Sequence, residues 1–192
     1  MLVAGLPAGR AATLVDEQSP ISLAEEGPLW ASRGGIKLAG ALAAFGIDPA
    51  GRRCLDVGAS TGGFTDVLLA GGAAGVAAVD VGYGQLDWRL RSDERVAVFD
   101  RTNFRTAEPG ALGAPFDLVV VDVSFISVRL LAANLAACGR PGTDYVVLVK
   151  PQFEAGREHV RRGGLVTDPA RHAAVVTSVA AAFGAAGIGA VG

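Results

Sequence analysis

At 192 residues and 51% hydrophobic content the chain is long enough to bury one sizeable core and too apolar to be read as disordered. A formal net charge of -2 and a pI of about 5.7 exclude a molecule-wide positive field, so any nucleic-acid contact has to be local. The absence of a long apolar run or a signal-peptide pattern sets the expectation of a cytoplasmic protein without a membrane partner, in which Cys54 and Cys138 are buried free thiols and no metal site exists.

In chain order, MLVAGLPAGRAATLVDEQSPISL suggests two short strands joined at GLPAG, too little to fold alone, and residues 1–29 are read as the tail of another domain. Residues 30–50 follow as a linker and a first helix. Within ASRGGIKLAGAL, Arg33 beside Gly34 and Gly35 offers a cationic loop suited to a phosphate, and Lys37 starts an amphipathic helix; a merely solvated helix start is the plainer alternative.

From residue 51 onward, short β-rich runs alternate with helical patterns, which predicts an α/β domain with a mostly parallel sheet and helices on both faces. Strands are expected at 52–58, 75–82, 95–100, 116–124 and 144–150. Helices are expected from FTDVLLAGG, from QLDWRLRSD and over 127–139, then a loop over 151–168 and a helix opened by Asp168 with Pro169 at its first position. IGAVG at 188–192 reads as a sixth strand cut short, so the expectation is a domain spanning 51–192 that lacks its C-terminal strand.

DVGASTGGFTD joins the first strand to the first helix of that domain, the place where open α/β sheets bind ligands. Gly58, Gly62 and Gly63 permit close backbone approach, while Ser60 and Thr61 can cap the helix or bond a ligand carboxylate; with Asp56 and Asp122 these are candidate cofactor contacts. A glycine-rich turn that only packs helix on strand remains the alternative. The stretch matches neither GxxxxGK[ST] nor GxGxxG. Asp80, about 20 residues beyond the loop, is placed to accept the two hydroxyls of a ribose, with a solvated strand-end acid as the alternative, and Asp100 to meet an adenine amino group or cap a turn.

Asp122 follows the apolar run LVVV, and Lys150 ends the neighbouring strand, so both side chains should enter one crevice. Only two of 17 basic residues are lysines, Lys37 and Lys150. Lysine can release its proton whereas arginine stays charged, so Lys150 is a candidate base on a hydroxyl, with Asp122 to orient it and Lys37 as the like charge that eases proton loss; a structural Asp122–Lys150 ion pair is the competing reading. Arg157, Arg161 and Arg162 in GREHVRRGG make a local basic patch suited to an RNA backbone, or a plain surface cluster. Trp30, Trp88, Phe104, Phe125 and Phe153 are candidates for base stacking, none favoured over core packing.

Taken in order, SRGGIKL, DVGASTGGFTD, VDVGYGQL, RTNFR, DVSFIS and KPQFE resemble the TlyA family of ribosomal RNA 2′-O-methyltransferases, also labelled haemolysin A, with an FtsJ-like catalytic domain. The resemblance implies a Rossmann-like methyltransferase fold, S-adenosyl-L-methionine as cofactor, and ribosomal RNA or ribosomal subunits as partner. It further implies that GLPAGRAATLVDE is the last hairpin of an RNA-binding domain. The family's Lys-Asp-Lys-Glu set falls on Lys37, Asp122 and Lys150, with its glutamate in a segment beyond Gly192; nothing in the sequence promotes Glu154 to that place. A non-catalytic ribosome assembly factor and a membrane-lytic protein are the alternatives.

Overall fold

Three two-residue strands, β1 (Leu2–Val3), β2 (Leu6–Pro7) and β3 (Ile21–Ser22), pair antiparallel in the order β2-β1-β3. Two short strands are thus present with bounds other than those expected: Leu6 and Pro7, assigned to the connection, lie in β2, and a third strand joins β1. The structure, a computed structural model, describes residues 2–3, 6–7, 14–16, 18–22 and 30–189.

The remaining elements are α1 (Gly34–Phe45), β4 (Arg53–Val57), α2 (Gly63–Ala70), β5 (Gly75–Val79), α3 (Trp88–Arg91), β6 (Val96–Phe99), β7 (Leu118–Val121), α4 (Ala132–Cys138), β8 (Asp144–Val147), α5 (Pro151–Glu154) and α6 (Pro169–Ala185). Strands β4 to β8 form one parallel sheet in the order β6-β5-β4-β7-β8. This is a Rossmann-like α/β fold, with strand order reversing between β4 and β7. Of the expected sixth strand only Ile188 and Gly189 are described, and neither lies in a strand; its other residues fall outside the described set.

Strand alternation divides the core into two layers. Cys54, Val76, Ala78, Leu118 and Val120 pack against Leu38 and Leu42 of α1, Phe64 and Leu68 of α2 and Leu90 of α3. Their neighbours Leu55, Val57, Ala77, Val79, Val119 and Val121 pack against Leu135 and Cys138 of α4 and Val175, Val179 and Phe183 of α6. The LVVV run of β7 is fully enclosed, as expected of a central parallel strand covered on both faces. Burial pushes the free thiols of Cys54 and Cys138 up to about 12 and about 11.

Two local expectations are corrected. The helix over 127–139 begins as a 3-10 turn, Val128–Leu131, before α4. The loop over 151–168 contains α5 and a 3-10 turn, Arg157–His159. The last helix follows expectation: Asp168 accepts the Ala170 N–H at 2.9 Å and Pro169 takes the first position.

Candidate active site

The loops leaving β4 and β7 diverge at the point where the strand order reverses, and they open a crevice at the carboxyl ends of the strands. Gly58, at φ +88, sits in its floor; a Cβ there would lie 2.7 Å from the Asp122 carbonyl oxygen, so any side chain would wedge the two loops apart. Two cavities open from this floor. One, of about 350 Å³, runs under the loops after β5 and β6 past Asp80, Asn103 and Phe104. The other, of about 550 Å³, lies between the Arg33–Lys37 turn, the glycine loop and Lys150. Gly58, Ser60, Asp122 and Ser124 line both, so the cavities share a wall.

In the first cavity Asp80 holds the loops together and keeps acceptor capacity to spare. Its Oδ2 accepts the Ser60 N–H at 2.8 Å and its Oδ1 the Gly82 N–H at 2.7 Å, leaving a lone pair on each oxygen. Ser60 is held at φ +48, outside the region most side chains adopt. The expected helix cap does not form: α2 starts from Gly62 at φ +98 without a side-chain cap. Gly62 and Gly63 have packing reasons of their own, because added Cβ atoms would meet Leu90 Cδ1 at 2.3 Å and Ser32 Oγ at 2.2 Å. Thr61 and Gly63 line the second cavity instead of the first.

The structure separates two expected cofactor contacts from the cavity. Asp56 points, like every even-numbered residue of β4, toward the α2 layer; it is fully enclosed and accepts a 2.7 Å hydrogen bond from Thr65 Oγ. Enclosure without countercharge pushes its carboxyl up to about 7. Asp100 is taken up by Arg91, at 2.8 Å, and by the Gly84 N–H, and the Arg91 hydrogen bond holds its carboxyl below the usual range. Asn103, Phe104 and Arg105, inside RTNFR, occupy the wall expected of Asp100. The sequence marks that motif but assigns none of its residues a cofactor contact.

In the second cavity Lys37, Asp122 and Lys150 do come together, with Arg33 at the N-terminus of α1. Lys150 Nζ lies 2.6 Å from Asp122 Oδ1, approaching off the hydrogen-bonding direction, and donates at 2.8 Å to Ser124 Oγ. Both charged side chains are 19% exposed, enough for a substrate to reach them and too little for bulk water to surround them. Ser124 is not among the residues that the sequence singles out; its place two residues after Asp122 is the signal that could have found it.

The patch residues Arg161 and Arg162 are exposed and line neither cavity; the Arg157 side chain lies outside the described residues. Among the aromatics, Phe104 is core and Trp30 packs over Gly35, whose Cβ would meet it at 2.5 Å. Phe125 is 92% exposed at φ +67 on the rim of the first cavity, 5.4 Å from the Phe153 ring.

The arrangement can bind a nucleoside-like ligand beside Asp80 and present a reacting group to a lysine-carboxylate pair across a shared wall. Residues 30–191 match the model of the FtsJ-like methyltransferase family. The chain is 53% identical over 177 residues to the 16S/23S rRNA (cytidine-2′-O)-methyltransferase TlyA of Mycobacterium tuberculosis, covering 92% of this chain and 66% of that protein. It is 43% identical over 140 residues to hemolysin A of Brachyspira hyodysenteriae, covering 72% of the chain and 58% of the relative. A solved structure from Streptococcus thermophilus, provisionally named a hemolysin, superposes with a TM-score of 0.80 at 44% identity, over 90% of this chain and 63% of that one. The chain thus spans less than two thirds of the length of each of these three relatives.

Proposed function

The chain belongs to the FtsJ-like methyltransferase family, and from that premise we propose that it serves methyl transfer from S-adenosyl-L-methionine to a ribose 2′-hydroxyl of ribosomal RNA. One observation carries the reading: Lys37, Asp122 and Lys150 line a cavity that shares a wall with the Asp80 cavity. The relative's cytidine specificity is proposed for this protein on the 53% identity alone.

The donor set of the first cavity suits the cofactor. Asp80 offers two oxygens with free lone pairs for vicinal ribose hydroxyls, Phe104 and Asn103 a surface and an amide for a base, and about 350 Å³ is within the range of small-molecule sites. When bound, S-adenosyl-L-methionine supplies an electrophilic methyl group on a positively charged sulfur. The chain's own residues do the rest. Arg33 and Lys37 would hold the phosphates flanking the target nucleotide, Asp122 and Ser124 would fix Lys150 Nζ, and Lys150 Nζ, having first given a proton to solvent, would accept the 2′-hydroxyl proton as the methyl group passes to that oxygen from the cofactor's sulfur, which leaves as a neutral thioether. The proton ends on Lys150 and leaves to solvent through the open second cavity.

The test is transfer of labelled methyl to ribosomal RNA by the intact protein, with the product read as a backbone position that resists alkaline hydrolysis, since a methylated 2′-oxygen cannot attack its own phosphate. Lys150→Arg should lower kcat at least ~10²-fold while cofactor affinity stays within about 3-fold. Undiminished turnover in that variant would remove Lys150 as the base. Tight RNA binding with no methylated product would select the assembly-factor reading instead.

A further inference from the structure

We propose that Glu154 is a positioning residue that sets the Asp122–Lys150 geometry by clamping together the two loops that carry them, an inference that rests on the methyl-transfer reading. Glu154 closes α5, the single turn that begins immediately after Lys150, and its side chain is only 2% exposed. Both of its oxygens point across to the other loop. Oε1 accepts the Val128 N–H at 2.7 Å, and Oε2 accepts Ser127 Oγ–H at 2.5 Å and Arg129 Nε–H at 3.0 Å.

These bonds close a ring. From Lys150 the chain runs through α5, tied by the Phe153 N–H to the Lys150 carbonyl at 2.9 Å, to Glu154; from there it crosses to Ser127, returns to Ser124, and Ser124 Oγ receives the Lys150 ammonium at 2.8 Å. Arg129 secures the ring from outside, donating to the Glu154 carbonyl at 3.2 Å and to Ser178 Oγ of α6 at 3.1 Å. Within the clamped span Phe125 is held at φ +67, a conformation that a bulky residue keeps only when its surroundings over-determine it. A carboxylate is the group the position requires, because every partner facing it is a donor. Glutamine would turn one amide N–H toward those donors.

Glu154 does not touch the second cavity, so its effect on catalysis passes through the loops. Displacement of a reacting group by about 1 Å costs on the order of 10²-fold in rate. In the intact protein, Glu154→Gln and Arg129→Lys should lower kcat at least ~10-fold while the KM for cofactor changes less than about 3-fold. The pH profile of kcat should move as well, because the contacts around the reacting hydroxyl change. A role in stability alone would leave that profile in place. Hydrogen exchange supplies a readout that needs no turnover: protection should fall ~10-fold or more in both 122–128 and 148–154. An active wild-type protein whose two variants keep the parent's pH profile and protection overturns the clamp. An inactive wild-type protein counts against the methyl-transfer reading, and exchange protection then decides the clamp by itself; unchanged protection overturns it. Both variants preserve side-chain bulk, so the outcome does not depend on a truncated Glu154→Ala chain folding.

Discussion

Burial pushes the Asp56 carboxyl up to about 7, with the hydrogen bond from Thr65 opposing and the negative charges of Asp122 and Asp80 adding to the rise. Its Oδ1 has no hydrogen-bond partner among the described residues, which suits a protonated group. The native state therefore holds this proton more tightly than the unfolded chain does. The resulting stabilisation is complete below the unfolded value near 4 and is lost as pH rises through about 7. Asp56→Asn, which keeps the shape but not the titration, should gain melting temperature relative to wild type between pH 5 and pH 8, by an amount worth on the order of a few kcal/mol at most. A gap independent of pH would show that Asp56 does not titrate in this window. The same residue marks the limit of what the sequence discloses. That Lys37, Asp122 and Lys150 would line one cavity was legible because each lies in a recognisable motif near the start or end of an element. Asp56 was not, because a strand buried on both faces shows no inside-outside alternation from which its direction could be read. Asp100 was misplaced for another reason: its partner Arg91 reaches it only through the packing of α3 beside β6.

At the scale of elements, glycine separates two kinds of helix position. At Gly62, preceding α2, φ is +98 and an added Cβ would lie 2.3 Å from Leu90 Cδ1 and 2.8 Å from Leu86 Cδ1, in a buried layer. Gly62→Ala should cost about 1–3 kcal/mol through backbone strain and overpacking. Gly184, exposed in α6 with nothing within 4 Å of the place an added Cβ would take, should behave oppositely, and Gly184→Ala should gain about 0.5–1 kcal/mol. Chemical denaturation of the two variants checks both signs together. The five strands and the long helix α6 were legible from apolar period and caps. The four residues of α5 were not, being too few to display a helical period, and Pro151 beside Glu154 gives only a start signal. Nor could the sequence show that Ser60 and Thr61 would leave α2 uncapped, since the glycine that follows them takes the N-terminal position. The apolar residues Val175, Val179 and Phe183 of α6 are buried against the sheet, which leaves that face unavailable for the membrane insertion a lytic reading needs. No helix among the described residues is long and apolar enough to cross a membrane.

Across the chain the net charge is -2, so the proposed RNA binding should depend on a few placed cations instead of a general attraction. Arg33→Ala should weaken ribosomal RNA binding and reduce the slope of log K against log salt by slightly under one unit, the share of one phosphate contact. An unchanged slope would remove Arg33 from the interface. The α/β class and parallel order were legible in the alternation of runs, whereas the strand at which the order reverses was not, because the order of runs along the chain is no measure of which become neighbours. That reversal governs how the molecule must assemble. The β4–β7 seam joins segments 64 residues apart, as the Arg53 N–H bonded to Asp117 records. Closing so long a loop is entropically costly and kinetically late. The crevice exists only once that seam has zipped, so the β6-β5-β4 half carries Asp80 without a partner wall and the β7-β8 half carries Asp122 and Lys150 without a floor. A chain in which β4 and β7 have not paired has no site.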